Sequence, residues 1–461
     1  MDTLERRIAP GAFHNSGEKF EQPKCHPRTR TAILSYIVAW LQDIDKDSAM
    51  LWLYGPNGSG KSAIAQAIAQ YCHERGSLVA SFFFSKGQAG RNSEKHFMAT
   101  IAYQIALSIP DTCRYISQAV ENDPSVFSGS LETQLQTLIV NPLCQASAAL
   151  ADKNGTVKKW ARLLVIDGLD ACQGPNIQRY IVRILSTALI HKKIPLFILV
   201  SSRPEPPIRD SFNSYDLRDI ISTLVLDESY LPDTDIKRYF WSKFDNIKQT
   251  HPLLRTYIPA AWPSPQIINS LVHKASGQFI YASTVIKYVD SAQHRPVERL
   301  EAVLRISNPV GDIPFAELDC LYRHVFASVH NIKTVLRILG ALLFGQRLHS
   351  KKSASGTVEL AIPITEPRFL EELLSLNRGD VYFALGDLHS ILNVPDPRRN
   401  SPSTNSKPLD AGIRILHSSL IDFLTDRSRA GKYFINSVKV HAELARACTR
   451  NLLSGKRSKW F

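Results

Sequence analysis

Short apolar runs alternate with longer stretches of helical spacing through the first half of the chain. Met50 to Tyr54, Leu78 to Phe84 and Pro195 to Val200 read as buried strands, Arg162 to Asp167 as an apolar strand ending in a carboxylate, and Ser222 to Leu226 as a short fifth strand. Between them, Ala63 to Ala69 is rich in helix formers, and Phe97, Ile101, Ile105 and Ile109 recur at helical intervals. Pro110 and Pro124 punctuate, and Leu131 to Leu150 reads as helix with a possible break at Pro142. Ahead of the first strand, Ile33, Leu34, Ile37, Val38, Trp40 and Leu41 mark an amphipathic helix, whereas residues 1–24 are mixed, polar and too short for a domain. Strands alternating with helices predict an α/β fold, a parallel sheet with helices on both faces and right-handed crossovers.

Beyond Asp227 the strand pattern fades. Asp235 to Phe240 starts a helix, Pro259, Pro263 and Pro265 mark a link, and Ile267 to Val289 is helical except at Gly277. Residues 315–345 are again helical by spacing. A Ser/Pro/Asn-rich loop from Asn400 to Pro408 is expected to be mobile. A short strand from Ala411 to His417 then leads into a helix at Leu420 to Leu424. No internal repeat is visible.

Composition narrows the class. The 461 residues, 44% hydrophobic and 21% charged, are enough for two or three globular domains. Seven scattered cysteines without a C-x-x-C pair offer neither a disulfide framework nor a zinc signature, so reduced thiols in the cytoplasm are expected. No apolar stretch reaches the ~18 residues of a membrane span. The net charge of +13 admits a nucleic-acid or membrane-surface reading. The basic residues are spread along the chain, however, and the densest run, Lys456-Arg457-Ser458-Lys459, sits at its end. Nucleic acid and membrane are therefore not the expected partners.

The candidate chemistry is concentrated in Gly55-Pro56-Asn57-Gly58-Ser59-Gly60-Lys61-Ser62, which fits the phosphate-binding pattern G-x-x-x-x-G-K-[ST]. An apolar strand before it and the helix opening at Ala63 after it are the context this motif needs. Glycines let the backbone N–H groups face phosphate at a helix N-terminus. Lys61 is expected to reach the β- and γ-phosphates, and Ser62 to hold Mg²⁺ through its hydroxyl. Asp167 ends an apolar strand, where P-loop enzymes carry the Walker B aspartate that binds the metal; a strand-capping Asp is the plainer alternative. Gly168 is small, and Asp170 adds a carboxylate that could orient an attacking water. Arg203, at the tip of the fourth strand, can sense the γ-phosphate or be a salt-bridged surface arginine.

Taken together, these motifs resemble the NACHT-type NTPases, the STAND-class, NLR-like signalling ATPases abundant in fungi. Matching stretches include Cys25 to Arg30, LWLYGPNGSGKSAIAQAIA, SFFFSKGQAGRN, LLVIDGLDAC, ILVSSRPEP, KASGQFIYASTVIKYV and ILHSSLIDFLTDRSRAGKYF, spread over about residues 25–450. The resemblance implies a lead segment (1–30), an NTPase domain (31–230), a small helical domain (231–328) and a winged-helix-like domain (329–461) that closes over ADP. It also implies that His417 is the winged-helix histidine touching the β-phosphate; without it, a lone His before a helix reads as structural. Phe279 stands where related receptors carry a proline against adenine, and Ala171 where the family often has Glu after Asp170. Fewer carboxylates there imply slow hydrolysis. Neither an effector nor sensor repeats fit before residue 25 or after 450, so the chain reads as a bare switch module or a truncated product.

The expectation is a signalling switch that binds ATP or ADP with Mg²⁺, hydrolyses ATP weakly, and self-associates or engages an effector protein in its ATP form. GTP remains an alternative nucleotide. The rival readings are a DNA-binding ATPase of the replication-initiator type, and an NTP-binding scaffold without turnover. Against the first, initiators usually carry Glu immediately after the Walker B Asp, where this chain has Gly168.

Overall fold

The computed structural model describes residues 1–17, 24–43, 48–154, 162–227, 230–251, 261–291, 294–306, 315–345, 364–395 and 412–453, apart from 89, 193 and 195, together with 259. The Asn400–Pro408 loop and the basic run 456–459 lie outside the described residues. The chain divides into two compact units, Met1–Asp235 and Ile236–Phe461.

The first unit is built on five parallel strands: β1 Met50–Tyr54, β2 Leu78–Phe83, β3 Leu163–Asp167, β4 Phe197–Ser202 and β5 Ile221–Val225. Their order across the sheet is β2-β3-β4-β1-β5. Alternate side chains of β1 to β4 feed two separate cores, which is why these four read as largely apolar runs, whereas β5, at the edge of the sheet, buries Leu224 alone of its five residues. Met50, Trp52, Phe82, Leu164, Ile166, Ile198 and Val200 enter one core, shared with the helices Phe97–Ser108 and Pro175–Lys192. Leu51, Leu53, Phe83, Leu163, Val165, Leu199 and Leu224 enter the other, shared with Thr31–Gln42 and Lys61–Glu74. This is the α/β architecture expected, with helices on both faces.

Three local features refine the expected pattern. Pro142 does not break its helix. A π-helical turn, Gln136–Val140, lies between Leu131–Leu135 and Asn141–Asn154, and the wider turn accommodates the residue that has no N–H to donate. Pro110 opens the helix Pro110–Asn122 rather than closing the one before it, a position where its missing N–H costs nothing. The polar N-terminal stretch is docked on the sheet unit. Leu4, Ala9 and Ala12 are buried in the first core. The His14 backbone N–H donates to Ser81 Oγ at 3.0 Å, and Gln66 Nε2 donates to the His14 carbonyl at 2.8 Å.

The strand order creates the crevice where a ligand site is expected. From β1 the chain crosses to β2 at the far edge, works back through β3 and β4, and leaves to β5 on the other side of β1. Connections diverge at the β1/β4 boundary, and in such sheets ligands sit at the carboxyl ends of the strands there. The register brings those ends level: Tyr54 pairs with Ser202, and Phe83 with Asp167.

The second unit is helical, with one continuous apolar core running from Ile236 to Ala447 across the 328/329 position where a domain boundary is expected. Helices Ala316–Ala327 and Ser418–Thr425 are joined in it by Tyr322 and Ser419, whose hydroxyls lie 2.7 Å apart. Arg429 donates from Nε and Nη2 to the two oxygens of Asp319, at 3.0 and 2.7 Å. The strand expected from Ala411 is the short β7, Arg414–Ile415, antiparallel to β6, Leu392–Asn393.

Candidate functional site

The loop after β1 turns sharply and ends in a helix. Gly58 and Gly60 take φ of +80° and +95°, and Gly60 caps the helix Lys61–Glu74. A left-handed conformation at both positions is what glycine tolerates without strain. Lys61, on the first turn, folds its side chain back over the loop. Nζ donates to the Gly55 carbonyl at 2.8 Å and the Pro56 carbonyl at 2.7 Å. Ser62 and Ala63 follow, both half-buried.

Lys61 is only 9% exposed. Burial pulls its ammonium down to about 8, against the opposing pull of Asp170 and Asp167, while Arg203 adds to the depression. The four groups therefore share one electrostatic neighbourhood at the carboxyl edge of the sheet. The hydrogen bonds on the ammonium, however, go to neutral carbonyls. Two of its three N–H donors are used.

Asp167 is buried at the end of β3 and accepts a hydrogen bond from Ser201 Oγ on β4. Ser201 was not singled out by the sequence pattern. Gly168, directly after Asp167, takes φ +69°, and a Cβ there would lie 3.3 Å from the Phe84 carbonyl oxygen. Its small size thus reflects a left-handed turn and a close approach by the β2 end, which throws the following Leu169–Ala171 turn back toward β4.

That turn carries Asp170 to Arg203. Asp170 Oδ1 accepts from the Arg203 backbone N–H at 2.9 Å, and Oδ2 from Arg203 Nε at 2.7 Å. Burial pushes the Asp170 carboxyl up, but the Arg203 charge, its two hydrogen bonds and Lys61 outweigh it and hold the group below the usual carboxylate range. Arg203 also reaches Glu205 through Nη2 at 3.2 Å. The two residues expected to act separately, one on water and one on phosphate, are partners of each other. A carboxylate held this acidic is a weak base.

Arg30 is a further site residue that periodicity did not reveal. It is 4% exposed, and its Nη2 donates to the Ser59 carbonyl inside the loop at 2.8 Å. Its backbone N–H donates to Asp235 Oδ2 at 2.8 Å. Burial lowers the guanidinium's pKa, opposed by Asp235 and Cys25. Its φ of +56° was invisible in the sequence; the Cys25 to Arg30 run within the family resemblance was the available signal.

Among the described residues no group of three or more His, Cys, Asp or Glu side chains forms a metal cage. Mg²⁺ commonly uses one or two protein oxygens, with phosphate and water completing its shell, and Ser62 and Asp167 match that donor set.

His417, in the second unit, caps the helix Ser418–Thr425. Nδ1 accepts from the Ser419 backbone N–H at 3.0 Å and lies 2.7 Å from Ser419 Oγ. An Nδ1 that accepts carries no proton, so the neutral ring is protonated at Nε2.

A family model described as Nephrocystin 3, N-terminal matches residues 31–203. That span is less than half of the chain, yet it contains the Gly55–Ala63 loop, Asp167, Asp170 and Arg203. The match is a weak link to NACHT-like proteins and carries nothing specific to their fungal branch. No curated protein matches the chain. No helix among the described residues is long and apolar enough to cross a membrane.

Proposed function

We propose that this chain is a nucleotide-dependent switch that binds ATP or ADP with Mg²⁺ at the Gly55–Ala63 loop and hydrolyses ATP slowly. The observation that carries this reading is the buried Lys61 ammonium, hydrogen-bonded to loop carbonyls beside Asp167, Asp170 and Arg203. A polyphosphate supplies the negative charge that such an ammonium lacks. Backbone N–H groups of the loop and of the first helical turn would cradle the phosphates. Ser62 and Asp167 would hold Mg²⁺, with Ser201 fixing the Asp167 carboxylate.

Bound Mg²⁺–nucleotide supplies the phosphoanhydride bond to be broken. Asp170 then positions water more than it removes a proton, because Arg203 keeps it acidic. That pairing favours binding over rapid turnover, and so favours a switch over a metabolic ATPase. Family resemblance supports ADP-bound and ATP-bound forms that differ in self-association. By linkage, each nucleotide can shift that equilibrium only by its differential affinity for the two forms.

Titration with labelled ATP tests the site. Lys61→Ala should abolish detectable binding while leaving the far-UV spectrum intact. Affinity unchanged by the substitution would remove the loop from the proposal.

A further inference from the structure

The second unit contains a charged cluster that the nucleotide reading does not use. Arg299, on the helix Pro296–Arg305, is 8% exposed. Its guanidinium lies 4.1 Å from the ring centroid of Tyr288, on the helix Phe279–Val289. The Tyr288 hydroxyl is 2.9 Å from His324 Nε2 on the helix Ala316–Ala327, and the two rings meet edge to face at 5.5 Å. His389, after the turn Gly386–Leu388, and His294, before the Arg299 helix, both feel the Arg299 charge. Asp387 is the carboxylate acting on His294.

Four elements thus gather one guanidinium and three imidazoles. Arg299 Nη1 is buried without a hydrogen-bond partner among the described residues, and so are His389 Nε2 and Ser390 Oγ. In the same unit, the Arg429 guanidinium donates to both oxygens of Asp319, whereas Arg299 has an aromatic face. A cation–π contact recovers only part of what a buried ion loses in leaving water. A buried water could satisfy a donor but would bring no charge.

We propose that Arg299, with His389 and His324, forms a binding site for a small oxyanion of the phosphate class, separate from the Gly55–Ala63 loop. The guanidinium fork suits two oxygens of such an ion, and the burial of Arg299 limits the ligand to a compact one. The imidazoles make binding depend on protons. Burial, then Arg299, holds His324 below the usual histidine value, and His294 likewise, with Asp387 opposing. For His389, burial and Arg299 lower it, backbone hydrogen bonds to Lys287 and Gly386 raise it, and His294 lowers it further. An anion facing His389 Nε2 would favour the protonated ring, so the ion should bind more tightly as pH falls.

The inference is independent of the nucleotide proposal, and its test uses the full chain carrying Lys61→Ala, in which the glycine loop is disabled. Melting temperature is followed against inorganic phosphate, with sodium chloride and sodium acetate at matched ionic strength, at about pH 6 and about pH 8, either side of the usual imidazole value near 6.5. The expected result is a saturable rise with phosphate, larger at the lower pH when each curve is plotted against the concentration of phosphate dianion, small with acetate and absent with chloride. Arg299→Gln should abolish it. His389→Asp, which supplies an internal carboxylate, should raise the ligand-free melting temperature and remove the phosphate response, and it covers the case in which Arg299→Gln does not fold. Identical phosphate and chloride curves would overturn the site, as would a phosphate response that survives either substitution; a response to acetate equal to that of phosphate would overturn the phosphate class.

Discussion

A lysine buried among glycines titrates where few lysines do. Lys61 is charged in both folded and unfolded chains below about pH 8, and neutral in both above its ordinary value of 10.5. Between those limits the unfolded chain binds the extra proton, so stability rises with pH across that window. The gain is about 3 kcal/mol at ~1.4 kcal/mol per pH unit of separation. Denaturant unfolding from pH 7.5 to 10.5 should show this rise in the native chain and a shallower profile in Lys61→Met. Parallel profiles in the two proteins would mean that Lys61 is not held as the structure has it. The same depression predicts that affinity for a polyphosphate falls above about pH 8, as the free amine loses the charge that recognises it.

At the scale of elements, the turn after β3 decides what the site can do. Gly168 permits it, and the turn delivers Asp170 to Arg203 rather than leaving it beside Asp167 alone. Gly168→Ala puts a Cβ into a left-handed residue and 3.3 Å from the Phe84 carbonyl, at a cost of roughly 1–3 kcal/mol. The expected outcome is a lower melting temperature together with a change in ATP turnover, since Asp170 moves with the turn. A variant as stable as the native chain would show that this turn is not constrained. Elements were legible where they depended on their own residues. The five apolar runs became the five strands, and helix formers after Lys61 became helix. Helix on both sides of Pro142 was legible, but the π turn just before it was not, because that turn is a backbone adjustment.

At the scale of the whole molecule, two units were expected to share one nucleotide through His417. The structure gives this histidine a definite local duty, accepting the Ser419 N–H at the helix start, and an alanine substitution would mix that loss with any effect on ligand. His417→Asn separates them, since asparagine is a good N-cap but lacks the imidazole Nε2–H. If ADP is also held through His417, as the family resemblance implies, its release should quicken by roughly tenfold to a hundredfold, the equivalent of a charge-assisted hydrogen bond, with ligand-free melting nearly unchanged. Stopped-flow release of a fluorescent ADP measures the first and calorimetry the second. Equal release rates would leave His417 as a cap alone.

By itself, the sequence determined the fold class of the first unit and the position of its glycine loop. Strand burial, helix propensity and the G-x-x-x-x-G-K-S spacing are properties of neighbouring residues, and neighbours are what a sequence displays. Tertiary structure alone decided the partnerships. Arg30 reaches Ser59, Ser201 holds Asp167, Asp170 is bound to Arg203, and Arg299 is left with an aromatic face in place of a carboxylate. Each pairing joins residues on different elements, and which elements meet is set by sheet order and core packing. Burial then sets the strength of every charge in the site, because removing water lowers the dielectric around groups whose identity alone does not reveal it.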